Sequence, residues 1–167
     1  MKTNEYIRKQ LNDALNLLGM VVADVPAELM NAAQPGTANA IGATIAHALL
    51  AVDVMVNVAL ADGAPALFTS GAAQQLGIAE PNPRNWPALK QGTFGLAALQ
   101  HYADAVRGSV NAYTDKLAEK ELDRAFNFFG TDTTVADTLI LATTEILEHA
   151  GEIAAVKGTH GLKGLPF

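Results

Sequence analysis

Cysteine is absent from this chain of 167 residues, which removes disulfide staples, thiolate metal ligands and cysteine nucleophiles together. Such a chain suits a reducing compartment, and a cytoplasmic location is expected. Aromatic residues are scarce, at 6% with a single tryptophan, and this disfavours a sandwich of strands, which draws on aromatic and β-branched side chains. Basic residues are few and scattered: 11 Lys and Arg against 17 Asp and Glu give a net charge of −6. A surface of that sign repels phosphate backbones, so nucleic acid is not an expected partner. The stretch from Met1 to Gln10 carries Lys2, Glu5, Arg8 and Lys9 and has no unbroken apolar core of the signal-peptide kind. Apolar runs elsewhere are interrupted by His47, Asp53, Asn57 or Asp62, and no membrane span is expected.

What remains is half hydrophobic, at 50%, and rich in alanine and aliphatics, a balance suited to packed helices in one domain over residues 1–167. Four stretches carry helical periodicity. In the first, Ile7, Leu11, Leu15, Leu18, Val22 and Val25 mark one face, and Pro26 ends it. In the second, residues 39–62, Ile41, Ile45, Leu49, Val52 and Val56 form one stripe while His47, Leu50, Val54 and Val58 form another. A helix apolar on two sides is central or interfacial, and dimerisation through the spare side is expected. The third, residues 94–118, carries Leu96, Leu99, Ala103, Val106, Val110 and Tyr113. The fourth starts behind Thr133 or Thr134 as N-cap and runs to about Lys157 before Gly158. Four such helices predict an all-α four-helix bundle.

Between the second and third helices lies a proline-punctuated segment, residues 63–92, holding Pro65, Pro81, Pro83, Pro87 and the tryptophan, Trp86. Bundle connections are usually far shorter, so this segment either crosses the bundle or lids something. Residues 71–77 can form a short helix within it.

The fourth helix carries the chemistry. Val135, Leu139, Ala142, Ile146, His149, Ile153 and Val156 recur at spacings of four and three, which puts an imidazole in an apolar seam. A buried imidazole needs a proton partner or a metal, because an unpaired buried polar group costs about 1–3 kcal/mol. Glu145 and Glu152 lie one turn away on the same side. No phosphate-binding loop, dinucleotide fingerprint or G-x-S-x-G elbow occurs, and the Glu-x-x-His pairs of a carboxylate-bridged di-iron bundle are missing. His101 lies off the apolar stripe of its helix and is expected at the surface. His160, in the glycine-rich tail, is expected to be solvated, with folding back toward the cluster as its alternative.

Three segments carry a resemblance: Ile41-Gly42-Ala43-Thr44-Ile45-Ala46-His47, then Thr134-Val135-Ala136-Asp137-Thr138-Leu139, then Glu148-His149-Ala150-Gly151-Glu152-Ile153, followed by the tail Gly161-Leu162-Lys163-Gly164-Leu165-Pro166. In order and spacing the chain resembles the DinB/YfiT-like superfamily. That resemblance implies a bundle with an up-down-down-up course, frequent homodimers, and a divalent metal such as zinc or nickel held by three histidines, one from the second helix and an H-x-x-x-H pair from the fourth. Carried over by position, His47 is the first ligand and His149 the third, while Glu145 stands where the second histidine should be. Two imidazoles and a carboxylate are an accepted ligand set for catalytic zinc and non-haem iron, so His47, Glu145 and His149 form the candidate metal site. The alternative is that Glu145 only accepts hydrogen bonds from the imidazoles. Glu152 is either an outer-shell base or a solvated edge. The functions implied are a metal-dependent thiol transferase or isomerase acting on a small molecule, or a non-catalytic dimeric bundle whose metal site has degenerated.

Overall fold

Leu11, Ala14, Leu15, Leu18, Val21 and Val22 are all buried on one side of the first helix, α1 (Thr3–Val22), and Pro26 follows where the chain must turn. The computed structural model describes residues 1–167. After α1 come α2 (Ala27–Met30), α3 (Ile41–Asp53), α4 (Ala66–Thr69), α5 (Ala72–Leu76), α6 (Trp86–Gln91), α7 (Leu96–Lys116), a two-stranded sheet of β1 (Ala125–Phe128) and β2 (Thr131–Thr134), and α8 (Val135–Thr159). Helix α3 continues directly into a π-helix, Val54–Leu60. The four long helices lie where the periodicity puts them, and Thr134 is the N-cap of α8, its hydroxyl accepting from the Asp137 amide at 3.1 Å. Residues 71–77 hold α5 between Gly71 and Gly77, both at positive φ.

Every residue of α3 is buried. Both of its apolar stripes are covered within one chain except at Val58, 40% exposed on the π-helix that continues it. The remaining apolar side chains left in solvent belong to other elements, among them Tyr6, Met20, Ile140 and Leu147. The stretch Ile41–Leu60 is long and apolar enough to cross a bilayer, with a mean hydropathy of 1.8, but 83% of that window is buried in the fold. It is the core helix. Gly42 lies at its closest approach to a neighbour: a Cβ there would come within 3.0 Å of both Asn31 Oδ1 and Phe94 Cβ. Asn31 uses the same spot to accept from the Phe94 amide at 2.8 Å and donate to the Phe94 carbonyl at 3.0 Å.

Cross-helix pairs fix relative directions. Arg8 pairs with Asp115, and Asn12 donates to Asn111 at 2.8 Å, so α1 and α7 run in opposite directions. Lys157, 2% exposed, donates to the Val21 carbonyl at 2.6 Å and to Asp24 at 2.5 Å. Ile7 and Gln10 share a groove with Ala136, Leu139 and Ile140 at the other end, so α1 and α8 run the same way.

One small two-stranded sheet accompanies the helices of this all-α fold. Ala125 pairs with Thr134 and Phe128 with Thr131, which leaves Phe129 and Gly130 as a two-residue loop, both at positive φ. This is the backbone that a type I′ hairpin turn demands. Phe126 and Phe128 alternate inward while Ala125 and Asn127 face out, a period of two that four residues carry too briefly to stand out from the helical pattern.

Asp53, fully buried, ties the crossover to α3. Its carboxylate accepts from the Ala66 and Leu67 amides at 2.8 Å each, from Asn57 Nδ2 at 2.6 Å and from the Tyr102 hydroxyl at 2.7 Å. Those two amides begin α4, where the helix dipole favours a negative charge. Replacing Asp53 by Ala strands several buried donors, each costing about 1–3 kcal/mol. The variant should lose more than about 3 kcal/mol in urea unfolding, and Tyr102→Phe only about 1 kcal/mol. A loss below about 1 kcal/mol for Asp53→Ala would contradict this account.

Candidate metal centre

Helix α3 delivers His47 and α8 delivers Glu145 and His149, two residues one turn apart on one face. The imidazole centroids of His47 and His149 are 4.7 Å apart with the planes nearly perpendicular. His47 Nε2 lies 2.8 Å from Glu145 Oε1, and His149 Nε2 lies 3.3 Å from the same oxygen. The three possible donor atoms are all within 4.8 Å of one another. The side chains of His47, Glu145 and His149 are 11%, 20% and 17% exposed, so the cluster sits at an opening instead of being sealed in the core.

The far nitrogens decide what the near ones can do. His47 Nδ1 is 2.8 Å from the Pro83 carbonyl, which can only accept, so Nδ1 carries the proton. His149 Nδ1 is 2.8 Å from Glu152 Oε2, and it donates there in the same way. Both rings therefore turn Nε2 inward, toward one carboxylate oxygen. An Nε2 lone pair facing a carboxylate oxygen is repulsive unless positive charge lies between them, as a proton or as a cation. Histidine ligands of metals are fixed in this manner, by an acceptor on the other ring nitrogen. The residues thus fit a divalent ion held by His47, Glu145 and His149, with the Pro83 carbonyl and Glu152 orienting the rings.

Protonation follows the same contacts. Hydrogen bonds from His149 and then from His47 hold the Glu145 carboxyl at about 2, against the opposing effect of burial. Burial alone would lower His149, but its bonds to Glu145 and Glu152 more than reverse that and raise it above the ordinary 6.5.

The crossover completes the wall. Trp86, at the start of α6, stacks on His47 with centroids 4.2 Å apart and planes at 23°, and meets His149 edge-on at 6.4 Å. The proline-rich segment, expected either to cross the bundle or to lid something, thus covers the cluster with Pro83 and Trp86. Neither Pro83 nor Trp86 can be assigned to the cluster from periodicity, since both lie in irregular chain; the one signal is the run Pro81-Asn82-Pro83-Arg84-Asn85-Trp86-Pro87. Glu152, open between two roles in the sequence, is the group that holds His149. His101 is exposed and bonds the Ser70 carbonyl at 3.1 Å, and His160 is exposed and bonds Gln34 at 2.8 Å. Neither joins the cluster.

A family model of the DinB superfamily matches residues 10–153, and the chain belongs to that superfamily. A solved structure, titled as the crystal structure of the conserved protein of locus from Enterococcus faecalis, superposes with a TM-score of 0.78 at 17% identity, covering 94% of this chain and 96% of that one. At that identity the likeness is one of fold. No curated protein matches the chain.

Charge linkage gives a signed expectation for the metal-free protein. His149, raised when folded, contributes stability that is complete below 6.5 and fades as pH climbs through its folded value. Glu145 contributes above 4.5 and fades as pH falls toward about 2. Melting temperature without metal should therefore decline as pH rises from 6.5 into the alkaline range. Zinc competes with the His149 proton, so the stabilisation by added zinc should grow over the same interval. Thermal melts with and without zinc check both slopes, and a zinc effect independent of pH would contradict the ligand assignment.

Proposed function

We propose that this is a metal-binding DinB-superfamily protein in which His47, Glu145 and His149 hold zinc or nickel and leave a coordination position open to a small molecule. The observation that carries the reading is the turning of both Nε2 atoms toward Glu145 Oε1 by acceptors placed on both Nδ1 atoms. The reaction class proposed is thiol transfer or isomerisation. When bound, the ion supplies Lewis acidity and lowers the pKa of a coordinated thiol or water.

The chain's own residues supply the rest. Glu145 contributes a negative charge to the ligand set, Pro83 and Trp86 fix the His47 plane, and Glu152 fixes the His149 tautomer. The indole also covers one face of the cluster and sheds water from it. The same reading includes an up-down-down-up course for the long helices, supported by the Arg8–Asp115 and Lys157–Asp24 pairs. It also includes a cytoplasmic homodimer formed through the α1 and α8 face that bears Tyr6, Ile140 and Leu147. Light scattering at micromolar concentration should give twice the monomer mass, and Ile140→Glu should shift it to the monomer.

A second reading is favoured by the distances themselves. At 2.8 and 3.3 Å, Glu145 can satisfy both imidazoles without an ion, as in a degenerate, non-catalytic bundle. Calorimetric zinc titration separates the two. If Glu145 is a ligand, the native chain binds zinc, Glu145→His binds at least as well, and Glu145→Ala binds at least tenfold more weakly, a loss of about 1.4 kcal/mol or more. If only Glu145→His binds, the site is degenerate and the enzyme reading falls.

A further inference from the structure

The crossover carries an unpaired cation next in sequence to the residue that holds His47. Arg84 lies between Pro83, whose carbonyl holds His47, and Trp86, which stacks on His47. Its backbone is pinned, with the amide donating to Asn82 Oδ1 at 3.0 Å and the neighbouring Pro83 buried. Its guanidinium carbon sits 4.4 Å from the centroid of the Phe129 ring. No carboxylate lies within salt-bridge distance of Arg84, and its side chain makes no hydrogen bond within the chain. Stacking on an aromatic face orients a guanidinium while consuming none of its N–H donors, which point outward around its edge. Arg84 is therefore held in place with its whole hydrogen-bonding fork unspent.

Phe129 supplies that platform at a cost. It occupies the first loop position of the β1–β2 hairpin at φ +49°, a left-handed conformation that asparagine or glycine adopts far more readily than a bulky aromatic. Its side chain is 51% exposed, so core packing does not repay the strain. The ring meets the guanidinium on its face and the ring of Phe128 at 4.6 Å between centroids. Strained backbone clusters at ligand sites, and here it carries the ring on which an unpaired cation rests.

We propose that Arg84 is a specificity-determining residue: its guanidinium receives a carboxylate carried by the small molecule whose other end enters the His47, Glu145 and His149 cluster. The fork of Arg84 matches a carboxylate in two parallel hydrogen bonds, which a lysine ammonium cannot do. The inference rests on the metal-site reading above and narrows its substrate to an anionic one.

The test uses cobalt(II)-loaded full-length protein titrated with a series of ω-mercaptocarboxylates and with ω-mercaptoalcohols of matching chain length, read by sulfur-to-cobalt charge-transfer absorption. At one or more lengths the carboxylate should bind about tenfold more tightly than its alcohol. Arg84→Gln should abolish that advantage while leaving cobalt affinity and alcohol binding unchanged. Arg84→Lys should keep only part of the advantage, and Phe129→Leu should reduce it by releasing the guanidinium. Equal affinity for acid and alcohol at every length, or an advantage that survives Arg84→Gln, overturns the proposal and leaves the metal site standing. A lower melting temperature for Arg84→Gln with unchanged selectivity also overturns it, since the contact would then only tether the hairpin. Failure of the native chain to bind cobalt overturns both readings at once.

Discussion

The rest of the structure depends on the complete burial of α3. A helix enclosed on all sides must satisfy its polar side chains internally, because each one left unpaired costs about 1–3 kcal/mol. Thr44 does so locally, donating to the Ala40 carbonyl at 3.2 Å. Asp53 and His47 cannot, and each recruits a different part of the crossover. Asp53 gathers the amides of Ala66 and Leu67, and His47 takes the carbonyl of Pro83. The path of the long connection is thereby set at both ends by two buried polar groups on one helix. Trp86 lies against the ligand cluster as a consequence, with no periodicity of its own to guide it.

Glutamate at position 145 changes the energetics of the cluster in both directions. With a divalent ion, His47, Glu145 and His149 leave one net positive charge where three neutral imidazoles would leave two. Without an ion, the carboxylate gives the imidazoles an internal partner that a third histidine would not supply. Metal affinity is the difference between these states, so a residue that stabilises the metal-free cluster lowers the apparent affinity even while serving as a ligand. The depressed Glu145 and the raised His149 are two faces of this self-satisfaction.

The bundle was legible in the sequence because its signals are long. Stripes such as Ile7 to Val25 and Val135 to Val156 repeat over five or more turns, enough for period to dominate propensity. His149 was legible for the same reason, since it sits on such a stripe, whereas its grouping with His47 and Glu145 came from the family resemblance. Two features were hidden. The hairpin is too short for its period of two to register, and its turn begins with Phe129, which carries no turn propensity. The hold on His47 from Pro83 and Trp86 bridges 36 residues or more of sequence, and only the burial of α3 brings those segments together. A pattern read along one helix shows that a face is apolar and not which chain covers it.

The division of labour follows from these two kinds of signal. The long helices supply rigid positions for the ligand atoms, and the irregular segments supply what surrounds them. Pro83 and Trp86 come from the crossover, and Phe129 comes from a hairpin inserted just before α8. Both segments leave the bundle at separate points of the chain and meet again where Arg84 lies over Phe129. A scaffold built in this way can keep its ligand cluster fixed while the lid and the hairpin vary, so substrate choice falls to residues that the helical pattern does not constrain.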